Sequence, residues 1–224
     1  MDVVILAGGE GTRMRPLTET VPKPLISVLG KSLILHVLAE LPSAIRRVII
    51  VVGYRGNDIQ SALGNSYGDM PLIYVSQGTI KGTAGALWSA RPLFTNGYFL
   101  VLNGDDLYDK KELEQFTRDE LAFGYARGIA KEKVLAATIQ DGVFLGFSRP
   151  DVGSNIFIGT NTFTLNEKIF SMDPVFLPTS GEYGLPQTVA LLAQTELVVA
   201  HELLNWQQIN SPEDIARVEK METL

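Results

Sequence analysis

The chain has 224 residues, of which 46% are hydrophobic, no cysteine and a formal net charge of −6, so we expect one domain with a substantial core. The lack of cysteine excludes disulfides, thiolate metal ligands and cysteine nucleophiles and fits the cytoplasm, and the acidic charge argues against sequence-independent binding of nucleic acid. The longest aliphatic runs are too short to cross a membrane and the first residues lack the pattern of a signal peptide, so we expect a cytoplasmic protein with no membrane partner.

Strand-like and helix-like segments alternate through the first half of the chain. Short apolar runs predict four buried strands, at residues 3–7, 48–53, 72–77 and 99–104. Segments with helical spacing of apolar residues lie between them, at residues 32–41, 57–64 and 82–94. The alternation predicts right-handed crossovers and an α/β fold, in which helices flank a mostly parallel sheet.

The second half has a different, β-rich pattern. Asp141 and Gly142 stand between two strand-like runs and predict a hairpin within residues 134–147. Three further elements are predicted: a strand at 155–163, a helix at 185–194 and a strand at 196–203. The tail predicts a terminal helix, because Ser211 suits the N-cap, Pro212 the first helical position and Asp214 the third.

Glycine-containing loops follow three of the predicted strands. Their sequences are LAGGE at residues 6–10, VSQGT at 75–79 and LNGDD at 102–106. Ligands of open α/β sheets bind beyond the carboxyl ends of the strands. We therefore expect the three loops to share one crevice.

The first of these loops lacks the common phosphate-binding fingerprints. Gly9 and Gly11 are followed by Met14 where G-x-G-x-x-G needs its third glycine, and the P-loop spacing is absent. This argues against a dinucleotide-dependent oxidoreductase. Glycines still let backbone amides approach an oxyanion, and Arg13 can add a forked donor to phosphate oxygens. Taken alone, the loop supports a structural turn and a phosphate site equally.

Charged residues accompany these loops at two places. Lys23 lies between Pro22 and Pro24, so its ammonium is presented from a stiffened segment. Asp105 and Asp106 directly follow a predicted strand, where a carboxylate suits Mg²⁺, an ion bound by one or two carboxylates, waters and substrate phosphates. Adjacent residues leave a strand towards opposite faces, so we expect one metal ligand from this pair. The alternative of capping the next helix fits Asp106 or Asp109.

The segment SQGTIKGTAGAL, residues 76–87, ends a predicted strand and begins a helix. Thr83 could cap this helix, and Gln77 offers both a donor and an acceptor to the edge of a base. The small residues of the first turn also fit simple close packing of the helix.

Together, the stretches LAGGEGTRMRPLTETVPKPLISVLGKSLI, QGTIKGTAGAL and FLVLNGDD resemble the sugar-1-phosphate nucleotidylyltransferases. The resemblance covers residues 1–110 closely and the remainder loosely. It implies a Rossmann-like α/β fold in one domain of residues 1–224, with a nucleotide-binding half at 1–110, a smaller and mainly sugar-binding β-rich part at 111–205, and a terminal helix region at 206–224. The implied reaction is Mg²⁺-dependent: an oxygen of the sugar 1-phosphate attacks the α-phosphorus of an NTP in line, and pyrophosphate leaves.

The same resemblance implies roles for individual residues. The backbone around Leu6, Ala7, Gly8, Gly9 and Gly11 would cradle the nucleotide. Arg13 would hold the triphosphate and the leaving pyrophosphate, and Lys23 the phosphates being joined. The base would be contacted by Gln77, Gly82 and Thr83, Mg²⁺ by Asp105, and the sugar phosphate by Lys23, Arg149, Glu182 and Asn161.

The chain departs from the family pattern near its end. Gln208 stands where relatives carry the aspartate that completes the metal site, and an amide oxygen can still bind Mg²⁺ but adds no negative charge. Ser148 and Arg149 replace a Glu-Lys pair, and Gln187 replaces an Asp. Two functions therefore compete: an active nucleotidylyltransferase with a weakened or rearranged metal site, and a binding homologue without catalysis. The base, the sugar and the oligomeric state stay open, and a homo-oligomer is compatible with the sequence.

Overall fold

The computed structural model describes residues 1–94, 97–132 and 134–221. Its strands are β1 (Asp2–Ala7), β2 (Ser27–Val28), β3 (Lys31–Ser32), β4 (Arg47–Val52), β5 (Ser66–Tyr67), β6 (Met70–Ser76), β7 (Tyr98–Asn103), β8 (Asp106–Leu107), β9 (Ala122–Ile129), β10 (Ala136–Gln140), β11 (Val143–Ser148), β12 (Asn155–Asn166), β13 (Val175–Leu177), β14 (Glu182–Gly184), β15 (Val199–Glu202) and β16 (Gln207–Gln208). Its helices are α1 (Leu33–Ala39), α2 (Gly56–Leu63), α3 (Gly82–Ala90), α4 (Lys110–Phe116), α5 (Leu185–Leu192) and α6 (Pro212–Met221).

Ten of these strands form one large sheet in the order β10-β11-β15-β9-β12-β7-β1-β4-β6-β5. β1 pairs in parallel with β4 and β7, β4 with β6, and β9 with β15. β12 is antiparallel to both β7 and β9, so β7 and β9 run in the same direction. The carboxyl ends of β1, β4, β6, β7, β9 and β15 therefore lie along one edge of the sheet, which we call the carboxyl edge.

The central strands are apolar along their length because helices cover both faces of the sheet. On β1, Val4 and Leu6 face a core cluster that includes residues of α3 and α5. Val3 and Ile5 face the opposite cluster, which is closed by residues of α1, α2 and α4. The predicted α/β fold with helices on both faces is confirmed. The second half continues the same sheet and supplies most of its antiparallel pairs.

Most local patterns predicted their elements correctly. The hairpin turn at Asp141 and Gly142 has φ values of 51° and 76°, as a tight turn with two left-handed residues requires. The prediction that Thr83 caps α3 is wrong, because the helix begins at Gly82 and the Thr83 hydroxyl accepts a hydrogen bond from the Leu185 N–H.

Strand β9 was not predicted, because its sequence AFGYARGI contains two glycines, which weaken a strand. The fold requires Gly124, since a Cβ there would lie 2.6 Å from the Thr160 hydroxyl of β12. Glycine is needed at position 124 because β9 and β12, which are distant in sequence, approach each other closely there. A local sequence pattern cannot show such a contact.

The terminal helix begins as predicted, at Pro212. The Asp214 carboxylate accepts hydrogen bonds from the backbone N–H groups of Asn210 at 2.8 Å and Ser211 at 3.0 Å. Burial by itself would raise the pKa of Asp214, but hydrogen bonds from Asn210, Arg217 and Ser211 outweigh it and hold the pKa below its usual value.

We expect Asp214→Asn to lower the free energy of unfolding by about 1 kcal/mol at neutral pH, because it weakens this cap. The pKa of Asp214 is lower in the folded state, so the contribution of the carboxylate is complete above the unfolded-state pKa of about 4 and is lost as the pH falls through the folded-state pKa. Urea unfolding from about pH 3 to pH 7 should show a difference that shrinks at the acid end. A constant difference would contradict the assignment, and exposed Asp173 provides the control substitution Asp173→Asn.

Candidate active site

The three glycine-containing loops meet at the carboxyl edge, as predicted. The Gly104 N–H donates to the Leu6 carbonyl at 2.9 Å, and the Gln77 N–H donates to the Val52 carbonyl at 2.7 Å. Gly8 packs so closely that a Cβ on it would lie 2.5 Å from Gln77 Oε1. The ends of β1, β6 and β7 are thus joined into one site.

The opening loop folds back on itself and is supported from β4. Gly11 has a left-handed φ of 63°, and a Cβ there would lie 2.9 Å from Thr18 Cγ2 and 3.0 Å from Lys23 Cβ. The Thr18 hydroxyl donates to the Gly11 carbonyl at 2.9 Å. Tyr54, which follows β4, donates its N–H to the Gly8 carbonyl and its hydroxyl to the Thr18 carbonyl. Glycine is required at position 11, and Tyr54 is a supporting residue that the sequence analysis missed.

Four side chains form a charged cluster beside this loop: Arg13, Lys23, Asp105 and Asn210. Lys23 is buried, and its Nζ lies 2.5 Å from Asp105 Oδ2 and 3.3 Å from Asn210 Oδ1. Arg13 Nη2 donates to the same Asn210 oxygen at 3.1 Å. The structure therefore brings together the predicted residues Arg13, Lys23 and Asp105, and it adds Asn210 as the acceptor shared by both cations.

Asp105 and Asp106 have separate surroundings. The Asp105 carboxylate faces Lys23, whereas Asp106 is buried and accepts hydrogen bonds from Asn103 Nδ2 at 2.9 Å and Trp206 Nε1 at 3.3 Å. Burial and the negative charge of Asp105 raise the pKa of Asp106 to about 7. Asp106 does not cap the next helix; Asp109 does, by accepting from the N–H groups of Lys111 and Glu112. Only Asp105 of the pair is directed at the charged cluster.

The segment from Trp206 to Asn210 crosses next to this pair. Gln208 is exposed, pairs through its backbone with Asp106, and accepts a hydrogen bond from Arg217 on its own carbonyl. Asn210, two residues later, is the amide that reaches the charged cluster. The sequence pattern indicated Gln208 as the metal ligand and gave no signal for Asn210, whose contact with Arg13 spans 197 positions in the chain.

A buried carboxylate holds the start of this segment. Glu112 of α4 accepts hydrogen bonds from the N–H groups of Leu204 and Asn205 and from Asn205 Nδ2, all within 3.2 Å. It is only 8% exposed. This residue was also missed, because nothing in the local sequence of α4 distinguishes Glu112 from a solvated glutamate.

We expect Glu112→Gln to lower the free energy of unfolding by about 1–3 kcal/mol. The glutamine amide has one acceptor oxygen instead of two, and its NH₂ group would face the N–H groups that now donate to the carboxylate. Urea unfolding measures the loss. Glu114→Gln on the same helix is the matched control. Equal stability of the two variants would contradict the role of Glu112.

The predicted residues of the second half are partly connected with the site. The Tyr183 N–H donates to the Lys81 carbonyl at 2.9 Å, and Gly82, with a φ of 90°, packs against the backbone of Tyr183 and the Cβ of Glu182. Gly82, Thr83 and Glu182 therefore lie together. Asn161 has a left-handed φ of 55° at a bulge in β12, and Arg149 is exposed beyond β11. Within the described part of the chain, no hydrogen bond or ion pair joins these last two residues to the charged cluster.

The described residues were compared with the requirements for a metal site and for a membrane span. No group of three or more histidine or acidic residues is placed to hold a metal ion by itself. No described helix combines the length and the apolar character needed to cross a membrane.

Several known proteins are similar to this chain over nearly its whole length. The bifunctional protein GlmU of Methanocaldococcus jannaschii is 28% identical over 98% of this chain and 54% of its own length. The UTP–glucose-1-phosphate uridylyltransferase AglF of Haloferax volcanii is 26% identical over 96% of this chain and 93% of its own. The structure of the inositol-1-phosphate CTP transferase from T. maritima superimposes with a TM-score of 0.78 at 21% identity, covering 99% of this chain and 94% of that one.

The chain spans about half the length of the GlmU protein that it matches, and the structural likeness concerns the fold. The family model described as nucleotidyl transferase matches residues 2–127, more than half of the sequence. The chain therefore belongs to the nucleotidyl transferase family, as the motifs within residues 1–110 predicted.

Proposed function

We propose that the protein transfers a nucleotidyl group from an NTP to a sugar 1-phosphate, giving an NDP-sugar and pyrophosphate, in the cytoplasm. The observation that carries this proposal is the charged cluster, in which two cations from the opening loop region meet Asp105 at the carboxyl edge. The name of the Haloferax relative, which aligns with nearly the whole chain, supports the sugar 1-phosphate as acceptor.

The residues of the cluster suit this chemistry because in-line phosphoryl transfer needs positioning and charge neutralisation and no protein nucleophile. Lys23 is buried, so its charge is little screened by water and acts strongly on phosphate oxygens. We assign Lys23 to the phosphates being joined and Arg13 to the triphosphate and the leaving pyrophosphate. The backbone from Leu6 to Gly11 would hold the nucleotide.

The donor atoms present fit Mg²⁺ bound together with substrate. The Asp105 carboxylate and the Asn210 amide oxygen both contact Lys23 Nζ and so lie close to each other. One carboxylate and one amide oxygen, completed by waters and substrate phosphates, satisfy the usual coordination of this ion. The ion would neutralise charge on the phosphates during transfer. Asn210 thereby offers a second oxygen where the sequence suggested Gln208, and this favours the active enzyme over the impaired binding homologue.

Base recognition is assigned to Gln77, Gly82 and Thr83, as the motif implies. Gln77 Nε2 donates to the carbonyls of Ile80 and Gly82, at 3.2 Å each. Its Oε1 is thus left to accept from a base, and the ring N–H groups of uracil, thymine and guanine are suitable donors. We assign nucleotide binding to residues 1–110 and sugar binding mainly to residues 111–205, with Glu182, Arg149 and Asn161 near the sugar phosphate.

The test is pyrophosphate release from a panel of NTPs and sugar 1-phosphates with Mg²⁺. Turnover with at least one pair, abolished by EDTA, is the expected result. Binding of an NTP without turnover by any pair in the panel would favour the impaired homologue. Failure to bind any NTP in a thermal-shift experiment would overturn the proposal, because a ligand that binds the folded state raises its apparent stability.

Substitution of the two amides compares their roles directly. We expect Asn210→Ala to lower kcat/KM about tenfold or more, because Arg13 and Lys23 lose their shared acceptor. Gln208→Ala should change kcat/KM less than about threefold, since its side chain is exposed and its pairing uses the backbone. Steady-state kinetics of both variants measure the difference. A larger loss of kcat/KM in Gln208→Ala than in Asn210→Ala would indicate that Gln208 is the second metal ligand.

A further inference from the structure

A second group of side chains lies near the carboxyl edge, away from the charged cluster. It consists of Tyr125, Arg127, Phe157 and Glu202, and we call it the Arg127 platform. Arg127 Nε and Nη2 donate to the two carboxylate oxygens of Glu202, at 2.6 and 3.1 Å. The guanidinium carbon of Arg127 lies 5.5 Å from the centre of the Phe157 ring, which in turn lies edge-on to Tyr125 at 4.9 Å.

The register of three neighbouring strands places these side chains on one face. In the sheet, β9 lies between β15 and β12. Arg127 of β9 is directly opposite Phe157 of β12, and Tyr125, two residues earlier on β9, is directly opposite Glu202 of β15. Residues two apart on a strand share a face. The platform is therefore a continuous surface, located where β9 and β15 approach their carboxyl ends.

The platform borders two cavities, and one of them is also lined by residues of the segment that leads to Asn210 of the charged cluster. Arg127 lines a cavity of about 660 Å³ together with Phe157, and a cavity of about 420 Å³ together with Glu202. Both volumes are typical of sites for small molecules. The smaller cavity extends to Trp206, which donates a hydrogen bond to Asp106, the neighbour of Asp105. β9 is two strands from β7 in the sheet, a separation of about 10 Å.

The chemistry of the platform matches a neutral, hydroxylated ring. Arg127 provides hydrogen-bond donors, Glu202 provides acceptors, and the Phe157 ring, which lies under the guanidinium of Arg127, provides an apolar wall. A hydroxyl group both donates and accepts, so it pairs well with a neighbouring donor and acceptor. Glu202 also neutralises the charge of Arg127 through two hydrogen bonds. A carboxylate on the ligand would meet an arginine that is already paired and a second negative charge.

We propose that the Arg127 platform binds the sugar ring of the substrate and selects neutral sugar 1-phosphates over those that carry a carboxylate. This inference rests on the proposed function, since it assumes that a sugar 1-phosphate occupies the site. Arg127 and Glu202 act here as residues that determine specificity, whereas the transfer itself takes place at the charged cluster.

The experiment compares glucose and galactose 1-phosphates with their uronic acid counterparts, which differ by a carboxylate. Wild type, Arg127→Gln, Glu202→Gln and the double variant would be assayed for kcat/KM with the NTP that gives the fastest pyrophosphate release. Binding of the same four compounds would be measured by calorimetry, and the melting temperature would check folding. Glu196→Gln is the matched control, because it breaks the exposed ion pair between Lys168 and Glu196.

Wild type should prefer the neutral sugars, and Glu202→Gln should shift the ratio towards the uronic acids about tenfold, because it frees the guanidinium for a carboxylate. Arg127→Gln in the same background should cancel that shift, and Glu196→Gln should leave the ratio unchanged. An unchanged ratio in Glu202→Gln with turnover intact would overturn the platform alone. Absence of turnover with every pair of the full panel of NTPs and sugar 1-phosphates would count against the proposed function. Calorimetry would still decide the platform: equal binding of the neutral and acidic sugars, or no binding of any of them, would refute it.

Discussion

Replacing Lys23 with methionine is expected to lower kcat/KM for nucleotidyl transfer about 100- to 1,000-fold. The ammonium is buried and is the one group that contacts both Asp105 and Asn210 in the charged cluster, so its removal takes away charge stabilisation that water replaces poorly. Methionine keeps a similar length without the charge, which limits the loss of packing. Steady-state kinetics with the preferred NTP and sugar 1-phosphate measure the effect.

The matched control for this substitution is Lys31→Met. Lys31 is exposed on β3, eight positions further along the chain, and should change kcat/KM less than about threefold. Thermal melting would verify that both variants fold. If Lys23→Met retained activity within about threefold of wild type, the assignment of Lys23 to the reacting phosphates would be wrong.

Asp105→Asn is expected to reduce turnover by a similar factor. In the absence of Mg²⁺, the same substitution is expected to tighten the binding of the NTP. The carboxylate would hold the ion during transfer, so its loss should lower kcat about 100-fold or more. In the structure the same carboxylate lies 2.5 Å from Lys23 Nζ, and in EDTA no ion would compete for it. Its removal frees Lys23 for phosphate and should tighten binding of the NTP in EDTA, about three- to tenfold.

Titration calorimetry with NTP in EDTA, together with kinetics in Mg²⁺, tests both parts of this prediction. Asp69→Asn, which removes an exposed carboxylate of the β5–β6 turn, is the control for the change in net charge. Weaker binding of metal-free NTP by Asp105→Asn would show that Asp105 supports the nucleotide directly. Unchanged turnover would remove Asp105 from the metal site.

Sequence motifs identified three of the four residues of the charged cluster. Arg13, Lys23 and Asp105 lie within motifs whose order and spacing could be recognised in the sequence, and the structure brings all three together. Asn210 could not be identified in that way. Its two contacts join positions 187 and 197 residues apart, and the adjacent sequence directed attention to Gln208 instead.

The Arg127 platform was even harder to predict from the sequence than Asn210. Arg127 belongs to β9, a strand whose glycines concealed it, and Glu202 is 75 positions away on β15. In the sequence both residues look like ordinary surface charges. The parallel pairing of β9 with β15 converts them into a bidentate ion pair on the face of the sheet.

Local physics explains this division. Apolar runs, the turn at Asp141 and Gly142 and the start of the terminal helix at Pro212 depend on backbone preferences that act within a few residues, so the sequence predicted the α/β fold and these local elements. Strand order, the burial of Glu112 and Asp106, and the meeting of Asn210 with two cations depend on contacts between distant segments. Those contacts form only when the whole sheet assembles, and the tertiary structure alone decided them.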